Sequence, residues 1–147
     1  ASGEVSPISA PSKVPTAPPT VVGNALFEKV IAIATPLQGI PYVWGGASTS
    51  GFDCSGFIYY VYKQAGLDVS RTSTTGFDAR SYDVSQPQPG DLVFFSNTYR
   101  PGISHMGIYI GNNQFIHAGG DRVQITSLSN SYWKSKFDGF KRLYAAE

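Results

Sequence analysis

The chain has 147 residues, 41% of them hydrophobic and 14% aromatic, enough to bury one ordinary core and short for two. Eleven basic residues against ten acidic give a formal charge of +1, and no run of Lys and Arg makes a basic patch, which argues against nucleic acid as a partner. The longest apolar stretch, 25–34, is broken by Glu28 and Lys29 and falls far short of the roughly 20 residues that span a bilayer, while the single cysteine, Cys54, excludes an internal disulfide framework and a multi-cysteine zinc site.

In chain order, residues 1–22 come first: Pro7, Pro11, Pro15, Pro18 and Pro19 are mixed with Ser and Thr and with no aromatic. That composition predicts an extended linker before one domain at 23–147, and a tether of this kind suggests a further module upstream. The stretch 25–34 repeats Leu26, Val30, Ile33 and Ala34 at helical spacing and ends near Pro36. A second helix is predicted over 54–65, with Asp53 as N-cap, Gly66 just past the C-terminus, and Phe57, Ile58, Val61, Tyr62 and Ala65 on one stripe. Residues 67–90, rich in Ser, Thr, Asp and Pro, read as a long connection that walls a cleft. Beyond it the pattern predicts five strands, at 91–96, 104–110, 114–118, 122–128 and 137–144. Helices followed by strands give an α+β domain with N-terminal helices packed on a mainly antiparallel sheet.

Cys54 falls at the predicted first turn of the second helix, where unpaired N–H groups and the positive end of the dipole favour a thiolate. A lone cysteine is also among the most buried residue types and commonly inert packing. The two histidines, His105 and His117, lie on adjacent predicted strands. A three-residue loop of Gly111, Asn112 and Asn113 sets Ile110 opposite Gln114 and Gly107 opposite His117, with the histidines diagonal on one face at roughly 7 to 8 Å; a two-residue loop separates them. On the favourable register the site holds a nucleophile, a base and an orienting group. The competing readings are histidines merely satisfied in the sheet, or a zinc site built from Cys54, His105 and His117, which lacks a fourth ligand. Upstream, Tyr42 offers a hydroxyl donor and Trp44 an aromatic wall, with Gly45 and Gly46 permitting close backbone approach; both aromatics also suit a core.

The ordered motifs Tyr42-Val43-Trp44-Gly45-Gly46, Asp53-Cys54-Ser55-Gly56, Pro89-Gly90-Asp91-Leu92-Val93, Ser104-His105-Met106-Gly107-Ile108-Tyr109 and Phe115-Ile116-His117-Ala118 resemble the NlpC-type cell-wall cysteine peptidases, compact relatives of papain. The resemblance runs from about residue 25 to 144. It implies a secreted cell-wall enzyme with Cys54 as nucleophile, His105 as base, His117 as third polar residue, and Tyr42, Asp53 and Ser55 against substrate. In detail the chain resembles the catalytic domains of Bacillus-type DL-endopeptidases that carry LysM repeats on Ser/Thr/Pro-rich linkers. That implies cleavage of peptidoglycan stem peptides between γ-D-glutamate and meso-diaminopimelate, without cofactor or metal, by a monomer with upstream wall-binding repeats and a proteinaceous inhibitor as a further partner. Few charged groups flank the motifs, so substrate carboxylates are expected to meet Arg71, Arg80 or Arg100, or backbone N–H groups. The rival functions are a cysteine amidase cutting the sugar-to-alanine link and a non-catalytic wall-binding module. In the permuted lipid acyltransferases the His precedes the Cys, the reverse of the order here.

Overall fold

The computed structural model describes residues 21–144. Helix α1 (Val21–Ala34) begins two residues inside the segment read as linker, the rest of which, 1–20, lies outside the described residues. A 3₁₀ turn, Thr35–Leu37, carries Pro36 and ends the helix. A two-stranded ribbon, β1 (Ala47–Ser48) and β2 (Gly51–Phe52), leads into α2 (Cys54–Gln64), followed by α3 (Thr74–Ala79). The main sheet comprises β3 (Ser81–Asp83), β4 (Leu92–Ser96), β5 (Ile103–Gly111), β6 (Gln114–Gly119), β7 (Arg122–Ser127) and β8 (Phe137–Leu143), with α4 (Ser131–Lys136) between the last two. Its strands run antiparallel in the order β3-β8-β4-β5-β6-β7. The architecture is α+β, as expected, with six strands where the sequence pattern showed five.

Both ends of α2 follow from local chemistry. Asp53 is extended, and its carboxylate accepts from the Gly56 N–H at 2.6 Å. At the other end Gly66 sits at φ +103; its N–H donates to the Lys63 carbonyl and that of Leu67 to Tyr62, the paired bonds of a Schellman motif. Between the caps Phe57, Ile58 and Val61 are fully buried against β5 and β6, each worth roughly 1.5–3 kcal/mol of burial.

Both faces of the sheet are covered, which is why β4 reads as the unbroken apolar run Leu92-Val93-Phe94-Phe95. Leu92, Phe94, Met106, Ile108 and Ile116 join the core beneath α1, α2 and α3. Val93, Phe95 and Phe115 face the other way, against Trp133 and Phe140. The Pro-Gly-Asp turn before β4 is tied to β8 by a fully buried ion pair, in which the Arg142 guanidinium donates to both Asp91 oxygens at 2.7 and 2.8 Å.

Candidate active site

The site is assembled from the N-terminus of α2, the start of β5, strands β6 and β7, and α4. Register comes first. Of the two loop lengths the sequence left open, the β5–β6 turn is the two-residue Asn112-Asn113, both at positive φ (53 and 61). Gly111 pairs with Gln114, but the ladder shifts between Tyr109 and Gly111, so the extra residue Ile110 is absorbed in a bulge and Ile108 still pairs with Ile116. That register brings Gly107 against His117, where a Cβ on Gly107 would come within 3.0 Å of the His117 Cβ. His105 and His117 therefore share one face: a two-residue turn alone would separate them, and the bulge gives the register of a three-residue loop.

His105 Nε2 lies 2.8 Å from His117 Nδ1, and His117 Nε2 lies 2.9 Å from Thr126 Oγ1 on β7. Trp133 of α4 stacks on the His105 ring at 4.7 Å and 29° and closes on His117 edge-on at 5.1 Å. Gly119 runs so close beneath the pair that a Cβ there would meet His117 Nδ1 at 2.6 Å and His105 Cε1 at 3.2 Å. A side chain at 119 has no room while the two rings touch.

Cys54 and His105 wall one open cleft of about 500 Å³, with Tyr42, Tyr99, Tyr132 and Trp133 around them. The sulfur lies 3.2 Å from Thr74 Oγ1 and 4.0 Å from the Ser104 carbonyl oxygen. Among the described residues it makes no hydrogen bond to either imidazole. Burial pushes the thiol above its ordinary pKa; the Thr74 bond opposes that rise and Asp53 adds to it. The helix terminus thus does not prevail, contrary to the sequence expectation of a favoured thiolate. Burial also holds His105 down at about 3 and His117 well below 6.5, with His105 adding to the second. At neutral pH the resting site is a thiol beside two neutral imidazoles.

The residues expected to bind substrate divide into two groups. Tyr42 lines the cleft, its phenol pushed up to about 12 by burial and then by Cys54, Asp53 and Tyr99, so it stays a hydroxyl donor. Trp44 is 73% exposed and meets Tyr99 edge-to-face at 5.7 Å, a rim position rather than a core one. Arg71 is already committed. It donates to both Asp53 oxygens at 3.1 and 3.2 Å, to Ser55 Oγ at 2.8 Å and to the Thr72 carbonyl, binding Asp53 and Ser55 into one network beside Cys54. Arg80 donates to the Ser70 carbonyl at 3.3 Å and Arg100 leans over the Tyr99 ring; neither lines the cleft. Sequence reading passed over Thr74, Thr126 and Trp133, because nothing in a Thr or Trp at those positions signals which strand or helix will be laid beside it. Among the described residues no group of three His, Cys, Asp or Glu is placed to hold a metal.

Against known proteins, residues 39–142 match the family model described as NlpC/P60. The chain belongs to the NlpC/P60 family. A Bacillus subtilis (strain 168) protein, named a probable peptidoglycan endopeptidase LytE, is 57% identical over 115 residues, covering 78% of this chain and 34% of its own length. The gamma-DL-glutamyl hydrolase of the same strain is 45% identical over 117 residues, 77% of this chain and 28% of its own. A crystal structure of a lipoprotein-like NLP/P60 protein from Staphylococcus aureus superposes with a TM-score of 0.70 at 35% identity, over 88% of this chain and 44% of that one. The chain spans about a third or less of the length of these curated relatives.

Proposed function

We propose that this chain is a cysteine peptidase that hydrolyses peptidoglycan stem peptides between γ-D-glutamate and meso-diaminopimelate, with Cys54 as nucleophile, His105 as base and His117 as its orienting partner. The observation that carries the reading is that the only cysteine and His105 wall one cleft, with His117 Nδ1 held 2.8 Å from His105 Nε2. With Nε2 of His105 engaged by His117, Nδ1 is the nitrogen left to take the thiol proton as sulfur attacks the scissile carbonyl carbon. The oxyanion is met by N–H groups at the first turn of α2, which have no intrahelical acceptor, and by the Tyr42 hydroxyl. The same proton then passes to the departing amine, and water, activated by the freed imidazole, cleaves the thioester.

The bond assignment rests on the motif resemblance to DL-endopeptidases and on a relative named gamma-DL-glutamyl hydrolase, since a Cys/His site accounts for attack on an amide and not for which amide. In this reading Tyr42, which lines the cleft, reads the substrate together with Trp44 and the Arg71-bound pair Asp53 and Ser55. The segment before α1 acts as a tether from wall-binding repeats to the domain that begins with that helix at Val21, and the protein works as a monomer outside the cell, in the wall. No described helix is long and apolar enough to cross a membrane.

Mass spectrometry of muropeptides after incubation tests the bond. Fragments ending in D-glutamate, with a new amino group on diaminopimelate, are expected. New N-terminal alanine freed from intact sugar would make the enzyme an amidase, and intact muropeptides would make the chain a binding module.

A further inference from the structure

Thr126 lies on β7 opposite Phe115, one diagonal step from His117 and on the same face of the sheet. Its hydroxyl is the partner of His117 Nε2 at 2.9 Å; Gln124, directly across from His117, has turned its amide to the Gly119 and Arg122 carbonyls instead. Three groups therefore stand in a row, His105, His117 and Thr126, joined by two hydrogen bonds.

A row of neutral imidazoles has two proton arrangements, and only one is armed. In the first, His117 Nε2–H donates to Thr126 Oγ1, His117 Nδ1 accepts from His105 Nε2–H, and His105 Nδ1 keeps its lone pair for the Cys54 thiol. In the second, Thr126 O–H donates to His117 Nε2, His117 Nδ1–H donates to His105 Nε2, and His105 Nδ1 carries a proton and takes none. We propose that Thr126 is a positioning residue: as acceptor from His117 it sets the tautomer of both imidazoles and leaves the lone pair on His105 Nδ1. The inference rests on Cys54 and His105 being nucleophile and base. Its physical ground is that His117 is 1% exposed, so an Nε2–H without Thr126 has no water to turn to and the proton moves to Nδ1, the inactive arrangement.

Thr126→Val keeps the shape and removes the acceptor. On soluble muropeptides kcat is expected to fall about 10- to 100-fold with KM unchanged, by analogy with the loss when the outer hydrogen-bond partner of a metal-ligating imidazole is removed. Thr126→Ser, which restores the oxygen, should recover most of it. A tautomer fault lowers kcat equally across the pH profile, whereas a loosened core would rehydrate the histidines and move the acid limb toward 6.5. Ring ¹⁵N spectra of unsubstituted protein give a readout that no variant's folding can spoil: a proton on His117 Nε2 is expected. A proton on Nδ1, wild-type kcat in Thr126→Val, or equal losses in Val and Ser would each overturn the role. Cys54→Ala assayed alongside separates the two levels: activity there sinks the nucleophile itself, while an inactive Cys54→Ala beside an unaffected Thr126→Val sinks only Thr126.

Discussion

At Cys54 two effects oppose each other. The first turn of α2 presents N–H groups that favour sulfur as an anion, yet the side chain is 5% exposed and burial favours the neutral thiol. Burial prevails at His105 too, so the proposed chemistry starts from neutral partners and separates charge only as sulfur attacks. Stacked Trp133 and the His117 bond then have a defined task, to hold the imidazole where the proton arrives. Cys54→Ala should abolish muropeptide hydrolysis while costing about 1 kcal/mol or less in urea melts, because it removes the proposed nucleophile and little volume. Residual turnover above blank would count against the mechanism. His117→Asn should cost less than His105→Asn, since a neutral amide can orient a ring and cannot replace a base; equal losses would reverse the two roles.

Elements bring these residues together through close backbone approaches. Gly56 of α2 lies against the loop before β1, where an added Cβ would sit 1.9 Å from the Gly46 carbonyl oxygen. The same loop accepts from the Asp53 N–H at Gly46, at 3.0 Å, and its Gly45 N–H donates to the Asp53 carboxylate, also at 3.0 Å. Backbone cannot rotate away as a flexible side chain can. Gly56→Ala should therefore cost about 1 to 3 kcal/mol, read as a lowered urea midpoint at unchanged slope, and lower turnover by displacing Tyr42 and Trp44. An unchanged midpoint would show that the loop yields freely. The legibility of the elements follows the same physics. Helix α2 was readable because its cap, apolar stripe and terminal glycine agree, and the five longer strands because alternation or an apolar run marks each one. Strand β3 is three residues, Ser81 to Asp83, and exists because β8 pairs with it; α3 and α4 are six residues each and depend on the caps Ser73 and Asn130, on burying Phe77 and on packing the half-buried Trp133. Cys54, His105 and His117 were readable as candidates from residue type; the register that sets the two rings on one face was not, because it depends on the bulge at Ile110. Thr74 and Thr126 were not, because their roles exist only once separate elements are laid side by side.

For the whole molecule, the site ties stability to pH. His105 and His117 are buried as neutral rings, whereas in the unfolded chain each takes up a proton near its ordinary value of 6.5. Below 6.5 the unfolded state therefore binds more protons than the native state, and unfolding is favoured increasingly as pH falls. Above 6.5 the full stability is present. Between 6.5 and about 3, where His105 would finally protonate in place, each pH unit removes up to about 1.4 kcal/mol for a group that stays neutral in the fold. Carboxylates also protonate in this range, so the difference between two proteins isolates the histidines. Urea melts of the chain and of a His105→Gln/His117→Gln variant at pH 7.5, 6.0 and 5.0 should diverge: the double variant starts less stable, having lost the paired rings, and loses less on acidification. Parallel slopes would mean that the imidazoles gain solvent or protons in the native state, and that the cleft behind Trp133 opens at acid pH.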